Sequence, residues 1–245
     1  MDDMTTRTPT RDDRARLISG PFISVTITAF VFFFYIGIML VTVPRFIEDE
    51  LGAGEFGVGL AVATFAAAAV VARPFLGRLI ERFGRRALMM AGALVAAAAG
   101  ALLGLSTELW HVLLLRAFMG LGEAALFVGA ATLVADLSPP KRRAEAASYF
   151  SVAVYGGIGL GPSIGEWVLG DDRYTLTFLV AAGFSALAAV TVLGVPKRVD
   201  RSSVPASADE KPPLFHRAAL WPGLVLASGI AAFSVFAAFL PDYAR

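Results

Sequence analysis

The sequence predicts an all-α integral membrane protein, and three observations carry that prediction. Hydrophobic residues make up 57% of the 245 residues, and mean hydropathy is +0.69, more than a water-soluble domain of this length ordinarily carries. The apolar residues come in blocks of about twenty or more, enough to span roughly 30 Å of hydrocarbon as helix. The blocks show no period-two alternation, so helices rather than a closed barrel satisfy the backbone in lipid.

Residues 1–20 mix acids and arginines and read as a short disordered tail. The first apolar block, Pro21 to Pro44, is too long for a signal-peptide core and has no small-residue cleavage site after it. It carries the run Phe32-Phe33-Phe34-Tyr35, which faces lipid or neighbouring helices or else lines a cavity for an apolar cargo. Helix two is expected from about Phe56 to Leu79, helix three from Ala87 to Leu105 and helix four from Trp110 to Ala135. Ser138-Pro139-Pro140 stops helix four, because proline lacks the N–H and clashes with the preceding turn. Helix five is expected from Ala146 to Leu169 and helix six from Tyr174 to Val195. Residues 21–195 thus form a six-helix unit. Residues 196–218, rich in Ser, Pro and charge, read as a linker. A seventh span is expected over 219–241. Trp110 and Trp221 fall at span ends, where interfacial anchors belong.

The basic residues set an orientation. With the N-terminus in the cytoplasm, the inner segments hold Arg7, Arg11, Arg14 and Arg16, then Arg78, Arg82, Arg85 and Arg86, then Lys141, Arg142 and Arg143, then Lys197, Arg198, Arg201, Lys211 and Arg217. The outer loops hold only Arg45 and Arg173, with Arg245 at the terminus, and carry the acids Glu48, Asp49, Glu50, Glu55, Asp171 and Asp172. Such an asymmetry places the arginine-rich side inside a cell membrane.

Between helices two and three lies Gly77-Arg78-Leu79-Ile80-Glu81-Arg82-Phe83-Gly84-Arg85-Arg86. Its glycines suit a tight reversal, and its charges suit the membrane face, where they also attract anionic lipid heads. The pattern resembles the G-x-L-x-D-R-x-G-R-R loop of the major facilitator superfamily. There the loop is a gate, holding the outward-facing state by contacts to the other half of the protein. Gly77, Glu81, Arg82, Gly84, Arg85 and Arg86 fall on the matching positions. One departure is Glu81 in place of aspartate, a longer arm that implies a looser latch.

Helix four carries Arg116, Gly120, Gly122 and Glu123. Residues seven apart lie nearly on one helix face, and a charge at this depth costs about 2.5–3.5 kcal/mol on insertion scales, so Arg116 and Glu123 must face the bundle interior or a water cavity. Entering near His111, Arg116 lies roughly 7 Å deep and Glu123 roughly 18 Å deep at ~1.5 Å per residue. Arg116 with its two glycines resembles the family's R-x-x-x-G-x-G motif; Glu123 is an acid added where the family favours a small residue. We expect Glu123 to take up and release a proton, with Arg116 tuning its affinity through charge. The alternative is a permanently ionised network that holds helices together.

Helix five carries Gly157-Ile158-Gly159-Leu160-Gly161-Pro162-Ser163-Ile164-Gly165. Gly157, Gly161 and Gly165 recur every four residues and make a flat face for close packing, while Pro162 removes one helix hydrogen bond and invites a bend. The segment resembles the family's antiporter motif, G-x-x-x-G-P-x-x-G, which implies export more than uptake. Glu166 beside it is expected to be solvated. Arg73 of helix two is expected to snorkel to the inner face or to make a gating contact.

The resemblance implies a bundle of two three-helix repeats followed by the first helix of a second half, so a shortened chain is expected, or one that assembles with a second transporter half. The expected function is proton-coupled efflux of small molecules, with protons, substrate and membrane lipid as partners and no cofactor. A proton symporter for sugars or organic acids is a second reading, and an inactive remnant or non-transporting membrane partner a third. The composition excludes several classes. The absence of cysteine removes disulfides, thiolate metal sites and cysteine nucleophiles. His111 and His216 lack a second ligand at metal spacing. No phosphate-binding P-loop occurs. The basic clusters flank spans without interleaved aromatics, against nucleic-acid binding. No nucleophile–base set is visible, against an enzyme.

Overall fold

The computed structural model describes residues 18–195 and Trp221. The tail over 1–17, the linker over 196–218 and the seventh span, apart from the exposed Trp221, lie outside the described residues. Among the described residues there is no strand, and six long helices carry the fold: α1 Gly20–Asp49, α2 Gly54–Phe83, α3 Arg85–Leu102, α4 Leu109–Leu137, α5 Arg143–Leu169 and α6 Tyr174–Thr191. Short 3₁₀ turns at Leu103–Leu105 and Val192–Gly194 extend α3 and α6.

The starts and stops follow local chemistry. Ser19 accepts a hydrogen bond from the Phe22 N–H at 3.3 Å, and Pro21 fits the first turn, so α1 begins where its orphan donors are answered. It continues five residues past Pro44, because the next turn buries Phe46 and Ile47 against the bundle. Ser138 leaves the helical region just ahead of Pro139-Pro140 and ends α4 where expected.

The largest departure lies between α2 and α3. The segment 77–86 was expected to be a loop, but α2 runs on to Phe83, and only Gly84, at φ +84° and ψ 157°, separates it from α3. Gly77, Glu81 and Arg82 are therefore helical, and Arg85 and Arg86 open α3. Leu, Arg and Glu are strong helix formers and carry the helix out of the hydrocarbon. Gly77 takes no part in the reversal; Gly84, in the left-handed region, makes it alone.

Five of the six helices are long and apolar enough to cross a membrane. The sixth, α5, has similar length, but its glycines and serines lower its hydropathy. Those glycines lie where α5 meets α1. Packing runs α5–α1–α6–α3–α4–α2, with lighter contact between α1 and α4. Exchanging α1 with α4, α2 with α5 and α3 with α6 maps this order of neighbours onto itself. That is the pairing two three-helix repeats produce.

The side of the bundle away from α2 and α5 is pinned by hydrogen bonds that lipid cannot replace. The Tyr35 hydroxyl donates to the Ala96 carbonyl at 2.9 Å, Ser185 donates to the Ala93 carbonyl at 2.8 Å, and Thr28 and Thr191 share a bond of 2.9 Å. Phe32, Phe33 and Tyr35 are buried in this core. They pack on neighbouring helices and rings rather than facing lipid. Large apolar side chains point outward elsewhere, Trp167 and Val152 among them, as a lipid-facing surface requires.

Candidate functional site

The connections α2–α3 and α4–α5 share one end of the bundle and carry Arg78, Arg82, Arg85, Arg86, Lys141, Arg142 and Arg143. The opposite end carries Glu48, Asp49, Glu50, Asp171 and Asp172. At the basic end, Arg85 forms an ion pair with Asp136 near the close of α4, and both side chains are largely buried. This ties the α2–α3 turn to α4. Asp136 was missed in the sequence; an acid among basic residues, two positions before a helix-stopping Ser-Pro-Pro, was the available signal. Glu81 and Arg82 lie exposed on the last turn of α2, and Arg82 rests over its neighbour Phe83 at 5.2 Å. Arg86 is half-buried.

Arg116 and Glu123 do not pair. Arg116 is buried and donates from Nε to the Ala61 carbonyl of α2 at 3.4 Å, while its guanidinium lies 4.6 Å from the centre of the Phe65 ring. The charge is held by α2 backbone and an aromatic face, an arrangement that clamps α4 to α2. Gly120, one turn on, lets the α2 backbone at Phe65 approach closely. Glu123 is partly buried and has no ion pair among the described residues. Arg73 of α2 lies 6.0 Å from the centre of the Phe127 ring, one turn of α4 beyond Glu123. Phe127 in turn packs edge-on against Phe33 of α1 at 6.0 Å and, at a tilt, against Phe150 of α5 at 5.8 Å. Arg73 and three aromatic rings, from α1, α2, α4 and α5, thus form one connected group around Phe127, one turn from Glu123. Sequence spacing alone linked Glu123 to Arg116, because spacing reports neighbours on one helix and Arg73 comes from another.

The glycine run of α5 is a packing seam. Gly157, Gly161 and Gly165 are buried against α1. A Cβ on Gly161 would lie 2.6 Å from both Gly37 Cα and the Phe34 carbonyl oxygen, and one on Gly157 would lie 2.6 Å from the Phe30 carbonyl. Gly37, the α1 partner in this contact, was missed; its signal was a lone glycine inside an otherwise bulky aromatic helix. Pro162 is half-buried, and α5 continues through it as one helix. Glu166 is not merely solvated: it accepts from Arg45 at 3.0 Å, joining α1 and α5 at the acidic end by a half-exposed pair, which contributes about 0–1 kcal/mol.

The bundle of long apolar helices, with a basic end, a small-residue seam and charges on its inner faces, is that of an integral membrane protein of transporter type. The sequence profile described as Major Facilitator Superfamily matches residues 25–245. The chain belongs to the major facilitator superfamily, a family of transporters rather than enzymes. It is 32% identical over 161 residues to multidrug resistance protein 1 of Bacillus subtilis, covering 66% of this chain and 41% of that protein. Identity to multidrug resistance protein 2 of the same organism is 30% over 176 residues, 72% of this chain and 44% of that protein. The quinolone resistance protein NorA of Staphylococcus aureus is 26% identical over 172 residues, 69% of this chain and 44% of that protein. The chain therefore spans less than half the length of these curated relatives.

Proposed function

We propose that this chain acts in proton-coupled efflux of small amphipathic molecules, as the N-terminal half of a transporter in the cell membrane with its basic end in the cytoplasm. Glu123 carries the proton. The observation that supports this most directly is an acid partly buried near mid-span of α4, without an ion-pair partner among the described residues. A partly buried carboxylate in lipid is expensive when charged and is kept for a purpose. Relatives named for multidrug and quinolone resistance favour small-molecule export.

In this reading the Arg85–Asp136 pair anchors the gate to α4. Glu81, exposed on the adjoining turn, is free to meet a second bundle. Arg116 holds α2 against α4 so that Arg73 stays beside Phe127, one turn from Glu123. The α1–α5 seam at Gly37, Gly157, Gly161 and Gly165 keeps the first three-helix repeat tight against the second while the halves rock.

The test is transport into inside-out vesicles under an imposed pH gradient, with a fluorescent amphipathic dye and a quinolone as probes. Gradient-driven accumulation that disappears in Glu123→Gln supports the reading, and full accumulation in that variant removes the proton role. Movement of a sugar or organic acid along with the proton favours the symporter. Absence of flux, together with no thermal stabilisation by either probe, favours a non-transporting membrane partner.

A further inference from the structure

We propose that the groove between α2 and α3 at the basic end is an acyl-chain site for an anionic phospholipid, whose phosphate is held by Arg82. The inference rests on the membrane placement that the family establishes and not on the transport reading. α2 and α3 are joined through Gly84 alone yet touch only lightly, since each packs on α4. Between them opens a cavity of about 470 Å³, with Phe75 and Leu79 of α2 on one wall, Ala91 and Val95 of α3 on the other, and Leu121 and Ala125 of α4 as floor. The lining is apolar throughout. Its α2 wall runs from Val71 to Leu79, roughly 12 Å at ~1.5 Å per residue, close to the ~15 Å hydrocarbon depth of one leaflet.

An apolar groove open to the bilayer does not stand empty, because an unfilled gap forfeits the dispersion contacts of its lining. The charge at its mouth selects which lipid fills it. The stripe Val71, Phe75, Leu79 continues on the next turn of α2 to Arg82 and Phe83. Arg82 is exposed and pairs with no acid among the described residues. Glu81 lies about 100° round the helix from Arg82, while Arg78, one turn before Arg82 on the same face, is also exposed and pairs with no acid among the described residues, so the mouth is positive. On the α3 side Arg85 is already engaged by Asp136. Arg82, steadied over the Phe83 ring, stands at headgroup depth with the exposed Arg78 one turn before it, and a phosphodiester suits the two parallel donors of a guanidinium.

The full chain, purified in mild detergent and stripped of lipid, is titrated with phosphatidylglycerol or phosphatidylcholine and its bound lipids counted by native mass spectrometry. The expected result is a preference for phosphatidylglycerol of about fivefold, the ratio that ~1 kcal/mol per arginine near an anionic headgroup provides. Arg82→Gln weakens the preference, and Arg78→Gln with Arg82→Gln removes it. Ala91→Trp fills the groove and removes the bound lipid of either kind, with Val95→Trp serving the same purpose if far-UV circular dichroism shows the first variant unfolded. Equal binding of the two lipids, or lipid counts unchanged in both kinds of variant, overturns the proposal. A homodimer that Ala91→Trp dissolves while lipid counts stay unchanged assigns the groove to a second copy and likewise overturns it.

Discussion

Replacing Gly161 by alanine should separate α1 from α5, while the same change two residues earlier should not. At Gly161 the new Cβ would sit 2.6 Å from Gly37 Cα and from the Phe34 carbonyl oxygen, both backbone atoms that no rotamer change moves aside. Carbon atoms are comfortable at about 3.5–4.0 Å, so the helices must part by about 1 Å. A gap of that size forfeits about a quarter to a half of contacts worth ~0.1–0.2 kcal/mol each. Over roughly thirty atom pairs along the crossing the loss is about 2 kcal/mol, inside the ~1–3 kcal/mol range for overpacked cores. A Cβ on Gly159 meets nothing within 4 Å. Gly159→Ala should therefore be neutral or stabilise by up to about 1 kcal/mol through helix propensity. Unfolding of both variants in mixed dodecylmaltoside–SDS micelles, followed by far-UV circular dichroism, measures the difference. The double variant Gly37→Ala/Gly161→Ala should lose less than the sum of its parts, since helices already apart accommodate both methyls. Equal shifts for Gly159→Ala and Gly161→Ala would refute the seam.

Tyr35→Phe removes the donor to the Ala96 carbonyl and should lower stability by about 0.6–1.5 kcal/mol in the same micelle titration. Asp136→Asn strips Arg85 of its counter-charge and should speed tryptic cleavage at Arg85 and Arg86; an unchanged digestion rate contradicts the anchor. Arg142 donates to the Glu145 carboxylate at 2.8 and 2.7 Å and holds its pKa below the usual carboxylate value. Because the folded pKa is the lower one, the pair's contribution is present above the unfolded value near ~4.3 and is lost as pH falls through the depressed one. The Glu145 midpoint in an NMR titration should rise in Arg142→Gln.

The fold class and the order of helices were legible because twenty-residue apolar blocks and prolines leave few alternatives in lipid. Helix ends were less legible at the membrane faces. Leu79 to Phe83 mixes apolar and charged residues, and composition does not say that a helix continues into water. Partners across helices were the least legible. Gly161 advertised a close contact, but nothing adjacent in sequence named Gly37 on the other side. Arg116 and Glu123 shared a stripe, yet Arg116 turns to the Ala61 carbonyl of α2 and Glu123 pairs with no cation among the described residues. The aromatic run of α1 was ambiguous for the same reason. Burial of Phe32, Phe33 and Tyr35 is set by how α1 nests among α3, α4, α5 and α6, which no single-helix pattern contains.

The account depends above all on which end of the bundle meets the cytoplasm. The chain has no cysteine, so single cysteines introduced by Arg78→Cys and Asp171→Cys, at exposed positions on opposite ends, report that directly. In intact cells a membrane-impermeant maleimide should label the Asp171→Cys protein at once and the Arg78→Cys protein only after permeabilisation. Labelling in the reverse order, or of both before permeabilisation, contradicts the topology on which the proposed gate and proton site are built.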